Sequence, residues 1–193
     1  MADRLSPRLE RFAARLARFD PAALIRLKDG WAWGRLPWDV LVRIPFDTAG
    51  DYVISATSLE RRPDTDWRTS LPPFGKGHEQ VVEVVPASVI KSAAAAAAQT
   101  LREVNSGGLR GRAVGQRVIR DALLDHVVIS GRSDVDGSEF AVSQRLVQAI
   151  VRMGLLEGDN VDVLVAGPWT GLGSTTGSAW HRTSPPLAVR PLR

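Results

Sequence analysis

The segment from Phe140 to Val165 constrains the fold of this chain more than any other. Apolar residues recur there at helical spacing, and they predict an amphipathic helix over 138–154, with Asp136 and Glu139 as a capping-box-like start. Gly154 ends this helix. The β-branched residues of Val161–Ala166 then predict a strand. The segment therefore predicts a helix, a short stop and a strand in direct succession.

Residues 1–85 predict a helical arm followed by an antiparallel sheet. Leucines and phenylalanines recur at steps of three and four over 3–19, beside a stripe of arginines, and predict a helix. A second short helix is predicted for Pro21–Lys28. Three β-branched runs then predict a three-stranded antiparallel sheet, and a long polar loop precedes its last strand. These strands are predicted at 39–44, 52–57 and 79–85.

Residues 86–193 predict three helices and a hairpin. Pro86 suits the first position of a helix, and the alanine tract that follows is strongly helix-forming. The predicted helices span 86–105, 113–128 and 138–154. A glycine-rich loop at 167–177 and a return strand within 179–189 follow the strand at 161–166. No internal repeat is visible in the sequence.

This order of elements resembles a winged-helix domain whose wing is the segment 167–178. The resemblance implies an α+β fold, in which 1–85 and 86–193 are either separate units or share one core. Domains of this kind usually place the third helix in the DNA major groove and the wing on the backbone. Carried over to this chain, the resemblance implies DNA contacts from Gln144, Arg145, Gln148 and Arg152. The alternative is that these residues form the solvated face of an amphipathic helix.

The arginines are unevenly distributed along a chain whose net charge is +4 and whose pI is about 10.3. Arg110 and Arg112 stand in a glycine-containing loop before a predicted helix that carries Arg117 and Arg120. Amide groups at a helix N-terminus favour anions, so we predict phosphate contacts there, with a solvated loop as the alternative. Residues 121–165 are acidic and would repel a polyanion. The N-terminal Leu/Phe stripe predicts packing on the domain or on a second copy of the chain; its arginine stripe could instead follow nucleic acid or anionic lipid.

Motifs for catalysis and metal binding are missing from the sequence. There is no cysteine, no phosphate-binding loop, no dinucleotide fingerprint and no nucleophile elbow, and the three histidines are isolated. Ser133–Glu139 lacks the ligand spacing of a calcium loop. We therefore expect no enzyme activity, no cofactor and no metal. An enzyme that uses His78 or His181 would need one of them to meet a carboxylate.

These observations lead us to expect a non-enzymatic DNA-binding or regulatory protein, a homo-oligomer through its N-terminal helix. The alternative is a protein-interaction or assembly-adaptor module. No stretch is apolar and long enough to span a membrane, and we expect a cytoplasmic protein. The geometry of charge separates the two hypotheses: DNA binding requires the arginines on one surface, whereas an adaptor requires an exposed apolar patch.

Overall fold

The computed structural model describes residues 6–48, 50–73, 78–107, 116–133, 137 and 139–182, without the side chains of 104–107 and 116–119. The helices are α1 (Pro7–Phe19), α2 (Ala87–Gly107), α3 (Gln116–Asp125) and α4 (Gln144–Arg152). The strands are β1 (Leu24–Lys28), β2 (Trp31–Leu36), β3 (Val40–Pro45), β4 (Tyr52–Ser55), β5 (Arg61–Arg62), β6 (Gln80–Pro86), β7 (Val127–Arg132), β8 (Glu139–Ser143), β9 (Asn160–Ala166), β10 (Trp169–Ser174) and β11 (Gly177–Arg182).

One nine-stranded sheet dominates the described structure, in the order β5-β4-β1-β2-β3-β11-β10-β9-β6. All of its pairings are antiparallel. Apart from the edge strand β5, the order is symmetric about the central pair β3–β11: α1 is followed by β1-β2-β3, and α4 is followed by β9-β10-β11. The sheet is therefore built from two similar helix-plus-three-strand units, although the sequence shows no repeat.

The helices lie on one face of this sheet, which we call the inner face. Side chains alternate between the faces of a strand, so Val40, Val42 and Ile44 of β3 point inward. Leu9, Phe12 and Leu16 of α1 are buried against the sheet, as is the apolar side of α4. The packing of α1 on its own domain is thus confirmed. A Cβ on Gly34 would come within 2.3 Å of a Leu16 methyl group, so this close approach requires glycine.

The other face, which we call the outer face, carries a second apolar cluster. Trp33, Trp169 and Trp180 are buried there together with Leu41, Leu164 and Ala166. A loop that contains Trp67 and Leu71 packs over them. Trp67 donates to the carbonyl oxygen of Thr69 over 2.6 Å, a hydrogen bond within this loop. The expectation that the tryptophans act as core anchors is met for this cluster.

The predicted winged-helix fold is wrong. A winged-helix unit needs three packed helices and a small wing, whereas β9, β10 and β11 are central strands of the large sheet. Residues 167–178 therefore comprise the β9–β10 turn, β10, the β10–β11 turn and the start of β11. Residues 139–143 form β8, which pairs with β7, so only 144–152 of the predicted third helix are helical.

Two further expectations for the N-terminal half are corrected. The segment predicted as a helix at Pro21–Lys28 contains strand β1, whose Ile25 and Leu27 are buried and whose intervening residues are half-buried. A period of two in burial is typical of a strand. The sheet also has nine strands rather than three, because strands from both halves of the chain join at the β3–β11 pair.

Candidate functional site

A groove on the helix-bearing side gathers most of the residues that the sequence analysis singled out. It has a volume of about 460 Å³. Apolar side chains from four elements line it, and each is half-buried: Phe19, Trp38, Ala97, Leu101 and Leu124. Helix α4 adds a polar side with Gln144, Arg145, Gln148 and Arg152. We call this cavity the α4 groove.

Arg145 is fixed in the wall of the groove. Its Nη1 donates to the carbonyl oxygen of Trp38 over 2.8 Å, and its Nε donates to Asp125 over 2.6 Å. In return, the indole N–H of Trp38 donates to the carbonyl oxygen of Arg145 over 3.2 Å. The hydrogen bond from Arg145 lowers the pKa of the Asp125 carboxyl group. These bonds tie α4 to the β2–β3 turn and to α3, so Arg145 positions the groove.

Arg152 is the cation that the groove leaves available. Its Nε donates to Gln148 over 2.9 Å, and its guanidinium lies 5.8 Å from the centre of the Trp38 ring. Trp38 in turn meets the edge of Phe19, with ring centres 5.3 Å apart. Among the described residues, no carboxylate pairs with Arg152, and the residue is exposed. The groove therefore combines an aromatic wall with an accessible positive charge.

The other predicted nucleic-acid contacts have different surroundings. Gln144 is buried and donates to the carbonyl oxygen of Ala93 over 3.2 Å, so it joins α4 to α2 instead of facing solvent. Arg120 is exposed at the rim of the groove. Arg110 and Arg112 lie outside the described residues, and Arg117 lies in α3 outside the side chains that the structure describes.

His181 lies half-buried near the groove, on the inner face of β11. Burial lowers its pKa, as does the neighbouring Arg145, while Asp39 and Asp125 act in the opposite direction. It makes no hydrogen bond or ion pair with a carboxylate within the described part of the chain. His78 is exposed. The described residues likewise include no group of three or more His, Cys, Asp or Glu side chains that could hold a metal ion.

The arginines of α1 divide into two groups. Arg8 donates to the carbonyl oxygen of Thr176, and Arg15 donates to that of Met153 at the end of α4. Arg15 therefore satisfies a carbonyl group that the helix end leaves without a partner. Arg11 and Arg18 are exposed on the same helix. Only part of the predicted arginine stripe is thus available to an external anion.

The sequence analysis missed a buried cluster around Arg43 on the outer face. The Arg43 guanidinium makes two hydrogen bonds of 2.6 Å to Glu79 and donates over 2.8 Å to the Ser178 hydroxyl. It stacks 3.9 Å from the centre of the Trp31 ring. Trp180 donates to the same Ser178 hydroxyl. The sequence feature that could have indicated this cluster is the single arginine in the apolar run Val40–Pro45. A charged side chain on a buried strand needs a partner of opposite charge or hydrogen bonds.

The fold resembles that of part of a sliding clamp. The chain superimposes on a protein described as a DNA polymerase III beta subunit from Eubacterium rectale with a TM-score of 0.51 and 9% identity, covering 91% of this chain and 62% of the other. For the DNA polymerase sliding clamp of Bacillus subtilis the values are 0.50, 11%, 92% and 64%. The chain thus spans less than two thirds of these proteins, and the similarity is one of fold. It corrects the winged-helix interpretation and the transcription-regulator interpretation that depended on it.

Residues 72–186 match the sequence model of the family described as domain of unknown function DUF8185, and the chain belongs to that family. The match begins before β6 and extends past the end of β11, so it includes the α4 groove's polar side. A search of curated proteins finds no match to this chain. None of the described helices is long and apolar enough to cross a membrane.

Proposed function

We propose that this protein is a non-enzymatic protein-interaction module that docks a short segment of a partner protein in the α4 groove. The observation that carries the proposal is the groove itself, where half-buried apolar groups from four elements meet a polar helix face. A volume of about 460 Å³ lies in the range of ~300–1,000 Å³ typical of ligand pockets.

The chemistry of the groove suits a peptide better than a polymer of phosphates. Trp38 and Phe19 offer partly exposed aromatic surface, which contributes strongly to binding when a partner covers it. Asp39 and Asp121 also line the groove beside Arg120, Arg145 and Arg152, so its charges are mixed and not uniformly positive. The likeness in fold supports this proposal, because one solved protein of this fold is named as the sliding clamp of a DNA polymerase.

A peptide selection tests the proposal directly. A random peptide library is selected against the immobilised protein, and the enriched peptide is synthesised with a fluorescent label for polarisation measurements. Gln148→Trp places a bulky side chain in the groove, and we expect it to weaken binding at least tenfold. Ser92→Trp is the matched control, because Ser92 is exposed on α2 and does not line the groove. Failure to enrich any peptide, or equal binding by Gln148→Trp, overturns the proposal.

A second candidate is polyanion binding by the helix-bearing side. The observation that favours it is the placement of α1 and α4 on one face of the sheet, with Arg11, Arg18 and Arg152 exposed. Each phosphate contact makes affinity fall with salt, so a titration with mixed-sequence duplex DNA across a salt series tests it. Steep salt dependence that becomes weaker in Arg11→Gln/Arg18→Gln, together with no enriched peptide, would replace the first candidate by the second.

A further inference from the structure

A small polar pocket lies on the outer face of the sheet, beside the β2–β3 turn. Its volume is about 230 Å³. Three arginines line it, each from a different segment: Arg35 from β2, Arg68 from the loop over the sheet, and Arg182 from the end of β11. The carboxylate of Asp39 also lines it. The pocket therefore has three positive charges and one negative charge.

Strand register places two of the three arginines, Arg35 and Arg182, on the same face of the sheet. Arg35 pairs with Leu41 across β2–β3, and Leu41 pairs with Trp180 across β3–β11. Arg182 lies two residues beyond Trp180, so it points to the same face. Arg35 and Arg182 thus flank β3 near one end of the strand. Because side chains alternate between the two faces of each strand, the fold itself places Arg35 and Arg182 on the same face.

Two of the three guanidinium groups are available to a ligand. Arg35 makes an ion pair of 2.7 Å with Asp39. Within the described part of the chain, Arg68 and Arg182 make no ion pair and no side-chain hydrogen bond, and both are exposed. The neighbouring stretches 74–77 and 183–193 contain no Asp or Glu. No side-chain carboxylate from those stretches can therefore neutralise this pair of cations.

The remaining walls of the pocket are held in place. Thr69 and Ser70, which carry hydroxyl groups, line the pocket from the loop whose Trp67 and Leu71 pack on the outer-face cluster. The buried side chains of Leu41 and Trp169 form the apolar part. Such a pocket offers guanidinium groups and hydroxyl donors next to buried apolar side chains. The loop needs little further ordering when a ligand binds.

We propose that this pocket binds the phosphate group of a small phosphate monoester. Guanidinium groups match the geometry of phosphate oxygens with paired hydrogen bonds, and hydroxyl groups can donate to the remaining oxygen. A volume of about 230 Å³ has room for the phosphate and a small organic group, and lies below the ~300 Å³ at which pockets for larger ligands begin. The pocket opens on the outer face and shares Asp39 of the β2–β3 turn with the α4 groove, while its arginines Arg35, Arg68 and Arg182 do not line that groove.

Calorimetry on the full chain with O-phosphoserine as the probe tests this assignment, with serine as the matched ligand without phosphate, at constant ionic strength. We expect saturable binding of O-phosphoserine and none of serine. Arg68→Gln and Arg182→Gln should each weaken binding about tenfold, the loss of one charge-assisted contact. Ser70→Trp should abolish binding by filling the pocket while leaving every arginine in place. Arg18→Gln changes the net charge by the same amount on the inner face and should bind as the wild type does.

Inorganic phosphate and mixed-sequence duplex DNA complete the experiment. Binding of inorganic phosphate that is lost in Arg68→Gln supports a phosphate site that recognises the phosphate alone. Duplex DNA that binds tightly through Arg68 and Arg182 while O-phosphoserine does not bind overturns the small-ligand assignment. Absence of any saturable signal, or equal weakening by Arg18→Gln, also overturns it. Circular dichroism of each variant shows whether its fold is intact.

Discussion

Removal of the Glu79 carboxylate should destabilise the protein by about 3 kcal/mol, since breaking one side of a buried ion pair costs about 3–5 kcal/mol. The Arg43 side chain is only 4% exposed, and Glu79 accepts two hydrogen bonds of 2.6 Å from it. In Glu79→Ala the guanidinium stays buried beside Trp31 without its counter-ion. Because the Glu79 side chain is 22% exposed, water can partly replace it, which places the cost at the lower end of the range.

A double variant separates the cost of burying an unpaired charge from the net contribution of the ion pair to stability. Arg43→Met/Glu79→Leu replaces both charges by apolar groups of similar length, and its stability should lie within about 1–2 kcal/mol of the wild type. Glu83→Ala is the control: Glu83 is exposed on β6, and its loss should change stability by less than about 0.5 kcal/mol.

Urea unfolding followed by tryptophan fluorescence measures all of these variants. Trp31, Trp33 and Trp180 surround the Arg43 guanidinium, so the emission reports on this region. A loss below about 1 kcal/mol for Glu79→Ala would refute the reasoning, as would a double variant that loses as much as the single one, because burial of the uncompensated charge would then not be the cause.

Three further predictions follow from the same structure. Gly34→Ala should destabilise the protein by about 1–3 kcal/mol in urea unfolding, because its new methyl group would meet Leu16, and an unchanged midpoint would show that α1 moves freely. Asp51, hydrogen-bonded by Arg26, has a pKa lowered to about 2, so its contribution is present above its ordinary pKa and lost as pH falls toward 2. Since this pair is partly exposed, Asp51→Asn should cost less than about 1 kcal/mol at neutral pH, and a larger loss would contradict the screening argument. The lowered pKa of His181 means that the unfolded chain binds its proton more tightly, so thermal stability should fall as pH drops below about 6.5, and His181→Gln should reduce that dependence.

Local patterns in the sequence predicted several elements correctly. The apolar spacing of α1 identified a helix whose Leu9, Phe12 and Leu16 are buried. The β-branched residues of Val161–Ala166 identified β9, and Gly154 follows α4 near its end. These features depend on neighbours along the chain, and periodicity and stop residues report on such neighbours directly.

Only the polar side of the candidate groove could be identified from the sequence. Arg145, Gln148 and Arg152 were singled out as DNA contacts on the exposed face of the third helix of a winged-helix domain, a resemblance that the structure contradicts. Trp38 and Phe19, which complete the groove, lie more than a hundred residues away in the chain. Their contact with α4 depends on how the sheet brings the two units together. The local sequence pattern does not predict which distant strands pair.

The sequence by itself determined the helical period of α1, the β-branched run of β9, the absence of cysteine and the uneven placement of arginine. The tertiary structure alone decided that β3 pairs with β11, and this single pairing converts two short helix-and-strand units into one continuous sheet. It also decided which arginines are buried, as Arg43 is, and which remain exposed, as Arg68 and Arg182 do. The physical reason is that strand pairing between distant segments is set by the summed burial of both faces of the sheet, and no local stretch of residues contains that sum.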